Sequence, residues 1–152
     1  MANFEVRDLM AEHRILGLDV GTKTIGLALS DATRIVATPH RTIKRTKFKE
    51  DAGILRAIID DMDVDALVIG LPVSMDGTEG PRCQSVRQFA ANLLETIDLP
   101  TAFWDERLST AAVERMLISE ADMSRKRRAQ VVDKAAAAYI LQGALDAMNR
   151  QE

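Results

Sequence analysis

From Arg14 to Ser30 the chain sets two apolar runs, RILGLDV and IGLALS, around the polar break Gly-Thr-Lys-Thr. Short apolar runs flanking a glycine-containing break predict a β-hairpin. Residues Arg34 to Ile43 can extend it as a third strand. Between Phe48 and Met62 the period changes: Leu55, Ile58, Ile59 and Met62 recur at helical spacing, and the unbroken run ALVIGL (Ala66 to Leu71) then reads as a buried strand. After the loop PVSMDGTEG, Pro81 suits a first helical position, and Val86, Phe89, Ala90, Leu93, Leu94 and Ile97 form one stripe. Pro100 precedes a short strand, TAFW. Ser109 is placed to cap a helix through Met116 and Leu117, and the polar, basic stretch to Arg128 reads as a loop. The alanine-rich segment from Ala129 to about Met148 predicts a last helix, because alanine costs least in helix formation.

The order β-β-β-α-β-α-β-α-α places hairpin strands first and crossover helices later. That order predicts an α/β fold, a mixed sheet of about five strands flanked by helices. At 152 residues one domain is expected over residues 14–152, with residues 1–13 as an N-terminal appendage.

Hydrophobic residues at 47% and charged residues at 28% fit a folded domain and exclude extended disorder. No segment is long and apolar enough for a transmembrane helix, and the N-terminus lacks a signal-peptide core, so a cytoplasmic location is expected. The single cysteine, Cys83, cannot form an internal disulfide, and with only His13 and His40 beside it there is no zinc cluster. Any metal must then be held by oxygen.

A net charge of −3 argues against a uniformly cationic surface. Two basic segments nevertheless stand out: Arg41, Lys44, Arg45, Lys47 and Lys49, and later Arg125, Lys126, Arg127 and Arg128. Either run alone reads equally well as solvated surface. Two runs flanking one acidic site are less easily dismissed as plain surface.

Asp19 is the one charged residue between Ile15 and Gly21, inside an expected central strand where an unpaired charge is expensive. A structural salt bridge with Lys23 or a metal or phosphate role would each account for it. Asp133 interrupts an apolar stripe, with Ala137, Ile140, Leu141 and Ala144 following on the same helical face, although an acid near a helix start also complements the macrodipole. Glu106 follows the strand TAFW, at a strand end where α/β sites form, although alone it reads equally as an ordinary loop acid. Three acids from a first strand, a later strand end and a last helix can converge, and convergent carboxylates do not all ionise cheaply without cations between them. One or two Mg²⁺ or Mn²⁺ ions would suit, and the chemistry implied is phosphodiester hydrolysis. No Ser-His-Asp arrangement and no Walker loop competes.

The segments LGLDVGTKTIGLALSD, IGLPVSMDGTEG, WDERLST and VDKAAAAYIL together resemble the YqgF family, also called RuvX. The likeness runs from Arg14 to Leu145. It implies a ribonuclease-H-like fold akin to the junction resolvase RuvC, and metal-site acids at Asp19, Glu106 and Asp133. It also implies a bacterial cytoplasmic protein linked to maturation of the 5′ end of pre-16S rRNA, resolution of Holliday junctions being the older proposal. Ala136 stands where RuvC carries a second acid on its last helix, and Asp105 is a candidate substitute. Gly21, Thr22, Lys23 and Thr24 are candidates for substrate phosphate contacts, Arg107 for charge neutralisation, and Arg125, Lys126 and Arg127 for affinity.

Asp-Val-Gly-Thr-Lys is also similar to the phosphate loop of the actin and sugar-kinase superfamily, but those enzymes close two domains over ATP, and 152 residues supply one. A catalytically silent RNA-binding factor of ribosome assembly is the alternative of another class. Oligomeric state is not legible in the sequence.

Overall fold

A computed structural model describes residues 13–108 and 125–150, with the side chains of the last helix described from residue 134 onward. The strands β1 (Arg14–Val20), β2 (Thr24–Ser30), β3 (Ala37–Lys44), β4 (Val64–Leu71) and β5 (Thr101–Asp105) form one sheet in the order β3-β2-β1-β4-β5. β2 pairs antiparallel with β1 and β3, whereas β4 runs parallel to β1 and β5 parallel to β4. The connections dictate this. A tight turn can join only antiparallel neighbours, while parallel strands need crossovers, here through α1 (Phe48–Asp61) and α2 (Pro81–Leu94). The mixed sheet is the one expected from the pattern.

Alternation along the strands divides the core in two. Leu16, Leu18, Val20, Ile25, Leu27, Leu67 and Ile69 face α1 and α2, where they meet Leu55, Ile58, Val86, Phe89 and Leu93. Ile15, Ala28 and Val68 face the other way, beneath Ala137, Ala138, Ile140, Leu141, Ala144 and Leu145 of α3 (Arg125–Arg150). This second face is floored by small residues. A Cβ at Gly17 would lie 2.8 Å from Leu141 Cβ and 3.2 Å from the Ala137 carbonyl oxygen, so the missing side chain sets how closely α3 approaches the sheet.

Several boundaries differ from expectation, among them the start of β4, at Val64 rather than Ala66. The last helix begins at Arg125 rather than Ala129, so the basic run Arg125 to Arg128 is helical backbone and not a loop. Arg and Lys are good helix formers, and their charge alone gave no reason to end the helix. β3 begins at Ala37 rather than Arg34 because Asp31 holds the turn: its Oδ1 accepts the amides of Ile35 at 2.7 Å and Val36 at 3.0 Å, and Arg34 adopts φ 61°. Ile97 is buried although it lies past the end of α2. The helix expected after Ser109 lies outside the described residues. Among the described residues no helix is long and apolar enough to cross a membrane.

Candidate active site

The alternation that puts Ile15 and Gly17 under α3 puts Asp19 on the same face, at the carboxyl end of β1, where it is half-buried. One strand over, Gly70 lies just past the β1–β4 pair Leu18–Ile69. Glu106 opens a short 3₁₀ turn (Glu106–Leu108) directly after Asp105, the residue of β5 that pairs with Leu71. A Cβ at Gly70 would meet Glu106 Cγ at 3.0 Å and Ile140 Cδ1 at 2.5 Å. Glu106 therefore lies over the bare floor that Gly70 leaves, walled by Ile140 of α3.

Asp19 and Glu106 share a hydrogen bond. Burial, and next the charge of Asp19, push the Glu106 carboxyl from its ordinary 4.5 up to about 7; Asp105 adds to the rise and Arg82 opposes it. In the hydrogen bond the protonated Glu106 donates and the Asp19 carboxylate accepts. Like charges held this close share a proton until a cation replaces it. Asp133 belongs to the helical backbone of α3, one turn before Ala137, and its side chain lies outside the described residues.

Of the other expected residues, Gly21, Thr22, Lys23 and Thr24 form the turn that leaves β1 directly after the site. The Gly21 amide donates to the Thr24 carbonyl at 2.8 Å, and the side chains of Thr22 and Lys23 are exposed. Arg107 is close to the acids but already engaged. Its Nη2 and Nε donate to Asp105 Oδ2 at 2.6 and 2.9 Å, and this contact holds the Asp105 carboxyl below its usual range. Asp105, the candidate extra ligand, is thus committed to a guanidinium. The side chains of Arg125, Lys126 and Arg127 lie outside the described residues.

The loop after β4 closes on itself. The amides of Ser74 and Gly77 donate to the Thr78 and Ser74 carbonyls, and Asp76 Oδ1 accepts the amide and hydroxyl of Thr78. These bonds favour a tight β-to-α connection over a phosphate cradle at those amides.

Two residues at this end of the sheet went unrecognised in the sequence. Arg82 Nη2 donates to the Val20 carbonyl at 3.1 Å, and Arg45 Nη1 to the Gly21 carbonyl at 2.7 Å. Arg45 was visible only as one cation in a basic run. Arg82, the residue after the proline that opens α2, carried no signal beyond its charge.

A family model described as "RuvX: Holliday junction resolvase" matches residues 13–147. The chain belongs to the RuvX family. Curated relatives of this RuvX-family chain carry the name "Putative pre-16S rRNA nuclease". The protein from Paramagnetospirillum magneticum is 67% identical over 138 residues, covering 91% of this chain and 88% of the relative. That from Rhodospirillum rubrum is 64% identical over 137 residues, covering 90% and 85%. Among solved structures, RuvC of T. thermophilus in complex with a Holliday junction substrate aligns over 90% of this RuvX-family chain and 96% of its own, with a TM-score of 0.53 and 15% identity. The Fowlpox virus resolvase bound to Holliday junction DNA aligns over 89% and 98%, with a TM-score of 0.54 and 10% identity. At such identities the structural likeness speaks for the fold, which is ribonuclease-H-like.

Proposed function

We propose that this RuvX-family nuclease hydrolyses phosphodiester bonds with Mg²⁺ or Mn²⁺, one or two ions, held by Asp19, Glu106 and Asp133, and that its substrate is the 5′ end of pre-16S rRNA in the cytoplasm. The observation that carries the metal reading is the Asp19–Glu106 pair. Two carboxylates that hydrogen-bond each other offer hard oxygen donors. The proton that Glu106 retains up to about 7 stands where a cation's charge would be welcome. When bound there, a divalent ion would neutralise the acids and polarise both water and the phosphoryl oxygen.

The chain's own contribution is placement. Backbone pairing with Gly26 fixes Asp19 in the middle of the sheet, and Gly70 with Ile140 fixes Glu106 beside it while excluding water from one side. Rigid strand ends hold ligands more accurately than free loops do. RNA is favoured over branched DNA by the names of relatives that share about two thirds of their residues with this chain.

The basic run at the start of α3 is assigned to affinity. α3 runs antiparallel to β1: Ala137 lies over Gly17, and Asn149 donates to the Arg34 carbonyl at the opposite end of the sheet. Twelve residues before Ala137, at 1.5 Å per residue, Arg125 lies roughly 18 Å further along the axis, beyond the carboxyl ends of the strands. Neutralising Arg125, Lys126 and Arg127 together is expected to weaken RNA binding and flatten its salt dependence by about two units of slope. An unchanged slope would return these charges to plain surface.

The deciding experiment sets a 5′-extended precursor rRNA beside a synthetic four-way DNA junction, each with Mg²⁺ or Mn²⁺, and with Asp19→Asn as control. Asp19-dependent cutting of the RNA supports the processing reading. Cutting of the junction alone replaces it with a resolvase. Inactivity on both by a well-folded protein points to a silent assembly factor.

A further inference from the structure

Arg45 and Arg82 reach the same turn from different elements. Arg82, in the first turn of α2, donates to the carbonyl of Val20, and Arg45, just past β3, donates to the carbonyl of Gly21. These are the two residues that follow Asp19. Arg45 is held further by its own amide, which donates to the Lys23 carbonyl at 2.8 Å, and by the ring of buried Phe89, whose centroid lies 5.1 Å from Cζ. Arg82 is close enough to Glu106 to oppose the rise in that carboxyl's pKa.

The partners are unusual. Among the described residues the ion-paired arginines are Arg34 with Asp65, Arg87 with Glu79 and Arg107 with Asp105. Arg45 and Arg82 are in none of these pairs. A carbonyl orients a guanidinium without cancelling its charge, and each guanidinium has five N–H donors, of which one carbonyl takes few. Two oriented guanidinium groups, neither in a close ion pair, therefore anchor the turn that follows Asp19, and the charge of Arg82 reaches Glu106.

We propose that Arg45 and Arg82 are the phosphate seat of this site: together they receive a backbone phosphodiester of the nucleic-acid strand next to the acids and set that strand's register, a role Arg107 does not share because Asp105 neutralises it. The inference rests on the nuclease reading and names the groups that position its substrate. Guanidinium forks suit phosphate because their paired donors match its oxygens. Fixing them on the chain that carries Asp19 couples the strand's position to that carboxylate.

The test measures binding of a fluorescein-labelled single-stranded RNA to the full chain across a salt series, in an Asp19→Asn background to prevent cleavage. Arg45→Gln, Arg82→Gln and Arg107→Gln are compared, alongside Lys versions of the first two. Arg45→Gln and Arg82→Gln are each expected to weaken binding about tenfold and to lower the slope of log K against log salt by about 0.7, the value for one phosphate contact on a single strand. The Lys variants should keep the slope, and Arg107→Gln should leave it unchanged. In the cleaving protein the same two Gln variants should raise KM more than they lower kcat. Unchanged slopes for both Gln variants of a protein that binds and cuts would overturn the seat alone. If the chain with Asp19 intact neither binds nor cuts nucleic acid, the seat and the nuclease reading fall together. A slope lost equally in the Gln and Lys variants, with lowered melting temperatures, would make both arginines mere staples of the turn.

Discussion

Replacing Asp19 by Asn or Glu106 by Gln is expected to lower cleavage by a factor on the order of 10³ while leaving the metal-free protein more stable above pH 7. The two effects have one cause. Glu106 is raised from 4.5 to about 7 by burial and by the neighbouring Asp19 charge. A carboxyl that holds its proton more tightly in the folded state contributes stability that is fully present below pH 4.5 and lost as the pH rises through 7. Glu106→Gln is neutral throughout and escapes that loss. After a discount for partial exposure the gain is on the order of 1–2 kcal/mol at pH 8, a few degrees of Tm for a chain of this size. Mg²⁺ should raise the melting temperature of the unsubstituted protein at pH 8 and do little at pH 5 or to the Gln variant. Melting curves at both pH values, with and without the ion, check this. A Gln variant that melts lower than its parent at pH 8, or that cuts at the parent's rate, would sink the assignment.

Alanine at Gly17 and alanine at Gly70 should fail in different ways, although both add one methyl beneath α3. At Gly17 the new Cβ would meet Leu141 Cβ at 2.8 Å and the Ala137 carbonyl at 3.2 Å. These atoms belong to the root of a side chain and to the helix backbone, which no rotamer change moves. α3 must lift, at a cost of roughly 2–3 kcal/mol, or about 5 °C or more of Tm. At Gly70 the first atom met is Ile140 Cδ1 at 2.5 Å, the far end of a side chain that can rotate away, and the next are Glu106 Cγ at 3.0 Å and Cδ at 3.2 Å. The fold should tolerate this better, but the carboxylate is displaced by a few tenths of an ångström or more. Misplacing a ligand on that scale costs roughly 10- to 100-fold in rate. Gly17→Ala should therefore lose stability first, and Gly70→Ala activity first. Parallel measurement of Tm and kcat separates them; a fully active Gly70→Ala would mean Glu106 is free to re-adjust.

Much of this was legible in the sequence wherever one residue type had to satisfy one environment. Unbroken apolar runs located β1, β2 and β4, which are buried on both faces, and helical spacing located α1 and α2, which each bury one; Asp19 stood out because no other residue of β1 after Arg14 is charged. The start of α3 was misplaced because a cluster of cations reads as polar loop although Arg and Lys are compatible with helix. The start of β3 was misplaced because Asp31 prolongs the turn through two amides, a contact with no periodic signature. Arg45 and Arg82 escaped for a similar reason: they bind main-chain carbonyls, which every residue has, so no partner residue marks their target. Asp51 is another case. It is 1% exposed, accepting from the amide and hydroxyl of Thr46, yet in the sequence it looks like an ordinary acid at a helix start.

The division of the core between two faces also sets an order of assembly. The face under α1 and α2 is covered by segments interleaved with its own strands, so it can close as those strands appear. The face bearing Gly17, Ala28 and Val68 waits for α3, more than a hundred residues after β1. Closing so long a loop is slow, and until it closes the apolar surface around Ile15, Ala28 and Val68 stays wet. During synthesis the nascent chain would thus carry one finished layer and one bare layer, and the strand end bearing Asp19 would gain its roof only after the ribosome had delivered the final described helix.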